Sequence, residues 1–321
     1  MLKGLALTPP VIGRIAIGKI VVKDGKRLPE RDDEFTVTSQ VQNREGWVNH
    51  PLDAALRKDP ATKLRSIPVR LLFDDPDLNL RASYSLFDRG TGRPLCVGNG
   101  ETCRRSTASG IQTLPCPSPE ACDLAVGGYC KPYGRLNVRI GDDDELGSFV
   151  FRTTGFNSIR TLSTRLKYFH AVSGGLLSTL PLELRLRGKS TTQSHRSAIY
   201  YVDLTVRSGM TMNEALTAAR LQGAERHVTG FDQAALDIAA RQGFADGAFE
   251  ESEEEGAAVV DEFYPEDVES SPLAKPAGNP AANPAKVPLA DKLTQKAAQL
   301  NGNGASASGG PGALRPLHDR N

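Results

Sequence analysis

Runs in which β-branched or aromatic residues alternate with polar ones recur over the first two thirds of the chain, bounded by Gly, Pro, Asp or Asn. Alternation of that kind has the period of a half-buried strand. It predicts strands at residues 11–22, 33–41, 66–73, 79–88, 93–98, 134–140, 147–154, 180–187 and 197–207. The sequence RGTGR at residues 89–93 supplies glycines for a hairpin turn between two of them, and GDDDEL at residues 141–146 separates the arms of a second hairpin.

Helical periodicity is scarcer and comes late. Ile159, Leu162, Leu166, Phe169 and Val172 recur near the 3.6 period, with Asn157 placed to cap the helix. Residues 211–223 predict a second helix, capped by Thr211 and stopped by Gly223, and residues 231–243 a third. The fold class expected is α+β, a strand-rich body with a few late helices and no internal repeat.

The pattern changes near residue 246. Residues 1–245 hold 33 Lys and Arg against 25 Asp and Glu, whereas residues 246–321 hold 6 against 13. A Glu-rich run gives way to Pro, Ala, Gly and Asn, a composition that buries too little apolar surface to offset chain entropy. Residues 1–245 are therefore expected to form the folded body and residues 246–321 a disordered, acidic tail. Residues 288–300 have helix-compatible composition and could fold on a partner. A solvating tail is the plain reading; an acidic segment that mimics nucleic acid or covers the basic body is the sharper one.

All five cysteines of the 321-residue chain lie between Cys96 and Cys130. A disulfide framework suits small secreted domains, but this chain is long enough to bury a core without staples. The N-terminus lacks a continuous apolar region and a cleavage pattern, and no apolar run is long enough to span a bilayer. A cytoplasmic protein with no membrane segment is expected, and clustered thiols there are more often metal ligands. The cysteines are separated by 6, 12, 5 and 7 residues, wider than a zinc-finger knuckle. Turn-forming sequence follows Cys96 (VGNG) and Cys116 (PSP), and Lys131 follows Cys130, a cation that would favour the thiolate. The expectation is a structural Zn2+ held by Cys96, Cys116, Cys122 and Cys130. Cys103 is set aside because its polar run has no strand or turn to aim it. Unmetallated, reduced thiols are the alternative.

No histidine lies in the cysteine segment, and the chain has no HExxH, phosphate loop or GxSxG elbow. Acidic DDPD at residues 74–77 and GDDDE at residues 141–145 read as solvated turns, His170 as a helix-end side chain and His195 as part of a surface loop. The basic residues are more suggestive. Lys131, Arg135, Arg139, Arg152, Arg185, Arg187 and Lys189 are interleaved with aromatics, and strand alternation puts the arginines on one face, read as solvent-facing, that could contact DNA phosphates or a protein partner. Any soluble sheet also needs a charged outer face.

The blocks GRIAIGK, GKRLPERDDEFTVTSQ, LPCPSPEAC to CKPYGRLNVRI and FRTTGFNSIRTL resemble, in order and over about residues 8–206, the recombination directionality factor-like family of phage and integrative elements. Relatives on conjugative elements carry the label hydrolase or metal-binding protein. The resemblance implies a non-catalytic accessory of DNA recombination, whose phage relatives bind a serine integrase on its attachment sites and shift it from integration to excision. It also implies that the family's cysteines fall on Cys96, Cys116, Cys122 and Cys130, with Cys103 an addition. Direct DNA binding within an element's recombination or replication set, and metal-dependent hydrolysis, are the competing functions.

Overall fold

The computed structural model describes residues 10–23, 26–43, 46–57, 59, 61–142, 147–190, 198–246, 259–260 and 263. By contact the chain divides into residues 1–267 and 268–321, and every described residue belongs to the first unit.

Nine strands stand where alternation predicts them: β1 (Val11–Lys23), β2 (Lys26–Asn43), β4 (Ser66–Leu71), β5 (Leu80–Phe87), β6 (Pro94–Gly98), β9 (Lys131–Ile140), β10 (Ser148–Thr153), β11 (Leu182–Ser190) and β12 (Ala198–Val206). Three more among the described residues have no alternation to announce them, β3 (Gly46–Asn49), β7 (Thr102–Thr107) and β8 (Gly110–Pro115). All twelve join one sheet, whose main path runs β3-β2-β1-β10-β9-β5-β6-β7-β8. Both hairpins form: β5 pairs antiparallel with β6, and β9 with β10. β9 is the hub. One edge carries β10, while the other carries β5 along its first part and β4 along its last, and β4 passes the sheet on to β11 and β12.

Period-two alternation decides what each face buries. Leu136 and Val138 of β9, Phe149 and Phe151 of β10, Leu182 and Leu184 of β11 and Val202 and Leu204 of β12 all face the main core. Each fully buried side chain of this size contributes about 1.5–3 kcal/mol. The helix α3 (Phe156–Ser173) lays Leu162, Leu166 and Phe169 into that core, and Ser158 accepts the Val202 N–H of β12 at 3.1 Å. Gly134 of β9 lets α3 come close, since a Cβ there would stand 2.9 Å from Ile159.

The helices differ from expectation in detail. Asn157 does not cap α3: Gly155 occupies the cap without a side-chain bond, and the Asn157 Oδ1 instead accepts from Lys189 at 2.8 Å. Thr211 does cap α4 (Met212–Val228), in a reciprocal capping box with Glu214. Gly223 does not stop it, and α4 runs a further five residues. The third helix is α5 (Gln233–Asp246). Two short helices come early, α1 (Pro51–Arg57) and α2 (Pro76–Asn79).

The boundary expected at residue 246 falls short. Val259 and Phe263 are 0% and 1% exposed and form a second core with Phe87 and Tyr133. A valine and a phenylalanine inside an acidic run carry no periodic signal, so composition alone assigns them to the tail. The predicted helix at 288–300 lies outside the described residues.

Candidate cysteine centre and basic face

Cys96 lies on β6 and Cys103 on β7, and both are buried. In the β6–β7 ladder Cys96 opposes Arg105 and Gly98 opposes Cys103, which sets both thiols on one face of the ribbon. The two are hydrogen-bonded to one another. Cys116 folds back over the same face. A Cβ on Gly98 would stand 2.8 Å from both the Cys103 Cβ and the Cys116 Sγ, so only glycine leaves room for the thiols to gather. The Cys116 N–H donates to the Glu101 carbonyl at 2.8 Å, which ties that segment to the β6–β7 turn.

Cys122 and Cys130 come from the segment between β8 and β9 and complete the group. Burial pushes the Cys130 thiol up to about 11, and the negative charges of Cys96, Cys122, Cys116 and Cys103 push in the same direction. Burial, with the Cys96 hydrogen bond, likewise raises Cys103 to about 11. The Cys130 thiol thus lies within electrostatic reach of the other four, and all five are free. Lys131 does not lower the Cys130 thiol as its position in sequence suggested; its Nζ donates to the Phe263 carbonyl at 3.2 Å.

Four thiolates are the donor set of a structural zinc. Among the described residues no group of three or more His, Cys, Asp or Glu side chains is arranged to hold a metal ion. The ground for setting Cys103 aside is corrected: it sits in a strand, 3% exposed, beside Cys96. Sequence reading also misses Arg105, whose guanidinium lies 4.0 Å from the Cys103 Sγ and also bonds Cys96. The cross-strand pairing of Cys96 with Arg105 is the signal that would find it.

The seven candidate cations do not form one solvent-exposed face. Arg185, Arg187 and Lys189 lie on β11, where Arg185 Nε donates to Glu183 at 2.9 Å, Arg187 pairs with Asp203 at 3.4 Å and Lys189 holds Asn157. Arg139 and Arg152 are more than nine-tenths buried, although alternation does turn them away from the main core. On that outer side Arg81 of β5, Arg135 of β9 and Arg152 of β10 stand in direct register, and Arg14 on β1 extends the row. Arg14 and Arg81 escape a reading of the basic residues that starts at residue 131, because they reach this row from distant strands.

The acidic turns serve structure. Asp75 caps α2 through the Asp77 N–H at 2.8 Å, and Asp74 accepts the Ser178 N–H at 2.8 Å. Asp142 takes Arg70 Nε at 2.7 Å and Arg207 Nη2 at 3.1 Å, and the Arg207 hydrogen bonds hold its carboxyl down at about 2 against the opposing cost of burial. His195 lies outside the described residues. No helix among the described residues is long and apolar enough to cross a membrane.

No curated protein and no solved structure is similar enough to the chain to count as a match. A family model described as Gp3-like, recombination directionality factor-like, matches residues 12–207, the span from β1 to the end of β12 that contains the whole sheet and the cysteine group, and the chain belongs to that family.

Proposed function

We propose that this protein is a zinc-stabilised, non-catalytic accessory of mobile-element DNA recombination, which binds a site-specific recombinase, or integrase, on its DNA and biases the direction of the reaction. The observation that carries this reading is the family match over residues 12–207, which supports a phage-type recombination accessory role. The zinc rests on separate ground, the confinement of all five cysteines to residues 96–130 and the approach of Cys103 and Cys116 beside Gly98. Cys96, Cys116, Cys122 and Cys130 would hold the ion, with Cys103 buried alongside. Bound there, zinc would supply folding free energy to a polar hairpin that buries few apolar side chains. A site of four thiolates has no open position for an activated water, so its role is structural.

Directional bias needs binding that differs between two arrangements of one recombinase–DNA complex. The experiment is an electrophoretic shift with the integrase encoded nearest this gene. Integrase on labelled attachment-site DNA should form a slower complex when the protein is added, and one pair of sites should require less protein than the other. No slower complex with any attachment site would remove this reading.

Direct DNA binding is the second reading, and Arg81 and Arg135, the half-buried members of the outer row, favour it. The protein alone would then shift DNA, with an affinity that falls steeply as salt rises.

A further inference from the structure

One end of the sheet path is an open edge. β8 pairs with β7 on one side and with no described strand on the other. Gly110 to Thr113 are exposed, and the Ile111 side chain is 53% accessible. Natural sheets blunt such an edge with charge, proline or a bulge, because its unpaired backbone groups template another strand. The sequence of β8 is GIQTLP, without a charge, and its ladder with β7 runs unbroken from Thr102 and Pro115 to Thr107 and Gly110. Its one proline stands at the far end.

Two backbone bonds decide which groups point outward. The Asn99 N–H donates to the Thr102 carbonyl at 3.0 Å on the β6 side of β7, and the Cys116 N–H donates to the Glu101 carbonyl at 2.8 Å on the β8 side. Antiparallel pairs alternate between bonded and non-bonded. The bonded pairs of the β7–β8 ladder are therefore Cys103 with Leu114, Arg105 with Gln112 and Thr107 with Gly110. The N–H and C=O groups of Ile111 and Thr113 point the other way, out of the open edge.

We infer that this edge is a self-association surface, at which β8 of a second copy of the chain adds antiparallel about a two-fold axis through Gln112. The outward groups select the register. With Ile111 of each copy opposite Thr113 of the other, four backbone hydrogen bonds form and neither residue keeps an unpaired N–H or C=O. The neighbouring registers set Ile111 against Pro115, which has no N–H, or Thr113 against the turn at residues 108–109. Across the axis the two Gln112 residues form a close pair, with Cα atoms about 4.5 Å apart and amides able to hydrogen-bond. Charge suits a second copy, since β8 brings none to the seam. Arg104 and Arg105 stand one strand back, and the two β7 strands are about 14 Å apart, beyond a Debye length of about 8 Å. The contact is isologous, so it closes on one mate and does not grow into a fibre. Two strands of this length bury less than the roughly 1,200 Å² at which stable interfaces begin, so the dimer is a reversible one.

Sedimentation velocity of the full-length protein, kept reduced so that no disulfide joins two chains, tests the seam. The average mass should rise from monomer towards dimer between about 1 and 100 μM. Thr113→Pro removes an outward N–H that β7 does not use. It should hold the protein monomeric over that range without lowering the melting temperature. Gln112→Lys and Gln112→Glu each set like charges opposite one another across the axis. Each variant should be monomeric alone, whereas an equimolar mixture of the two should dimerise. Unmodified protein that stays monomeric at about 100 μM would overturn the inference. So would a dimer that survives Thr113→Pro and Gln112→Lys, which would have to use another surface, or a mixture that associates no better than its components.

Discussion

The ring of Phe263 packs edge-on against that of Phe87 with centroids 4.9 Å apart, so a residue deep in an acidic run is part of the folded body. Phe263→Ala should lower stability by about 3 kcal/mol, the usual cost of emptying a buried phenylalanine site. Truncation after Asp246 should cost at least as much, because it also removes Val259. Truncation after Asp267 should leave the unfolding midpoint in urea unchanged. A midpoint unmoved by Phe263→Ala would show that the ring does not pack there.

The cysteine group makes a separate prediction. Protein purified under reducing conditions should carry about one zinc per chain by elemental analysis. Cys116→Ser or Cys130→Ser should lose the metal. Cys103→Ser should keep it while lowering the melting temperature, since a buried thiol bonded to Cys96 is replaced by a smaller, more polar group. Metal content separates a ligand from a packed bystander, which stability alone cannot do.

Asp53 tests the ion cluster beneath β2. It is buried, accepts the Val37 N–H at 2.8 Å and holds Arg57 Nε at 2.8 Å, while Arg57 also bonds Glu34 and the Phe35 carbonyl. Asp53→Ala should destabilise by roughly 1–3 kcal/mol, because it leaves the buried Val37 N–H without its acceptor and takes one of two carboxylates from Arg57. Chemical denaturation of the variant measures it.

Asp142 gives the pH dependence. Its carboxyl is held at about 2 in the folded protein, chiefly by hydrogen bonds from Arg207, against an ordinary value of 3.8. A depressed carboxylate stabilises the fold fully above its unfolded value, and that contribution is lost as pH falls from about 4 towards 2. Asp142 is 45% exposed, so screening limits the gain to about 1 kcal/mol. Asp142→Asn should therefore be less stable than the parent at pH 7 and nearly equal to it near pH 2.

Much of this architecture is legible in the sequence because the main core imposes a period. Val11–Lys23, Leu182–Ser190 and Ala198–Val206 show alternation because Ile15, Leu182 and Val202 fill a shared interior. The hairpin of β7 and β8 is not legible because it has almost no interior: Cys103 alone is buried in the first strand, and none of the second is. Gly223 misleads because a helix interior tolerates a glycine at a cost of only about 1 kcal/mol, and α4 continues past it. The cysteines can be grouped from sequence, but their gathering point depends on Gly98 and on the register of Cys96 with Arg105, which spacing does not encode. Strand alternation tells the side on which Arg139 and Arg152 lie; it cannot tell that this side is covered.

The central claim is that this protein changes what a recombinase does. It is tested most directly by the product ratio of a recombination assay that offers the neighbouring integrase both pairs of attachment sites, with and without saturating protein. A shift of at least tenfold is expected, equivalent to about 1.4 kcal/mol of differential binding, which a modest interface supplies. An unchanged ratio at saturation would contradict the account.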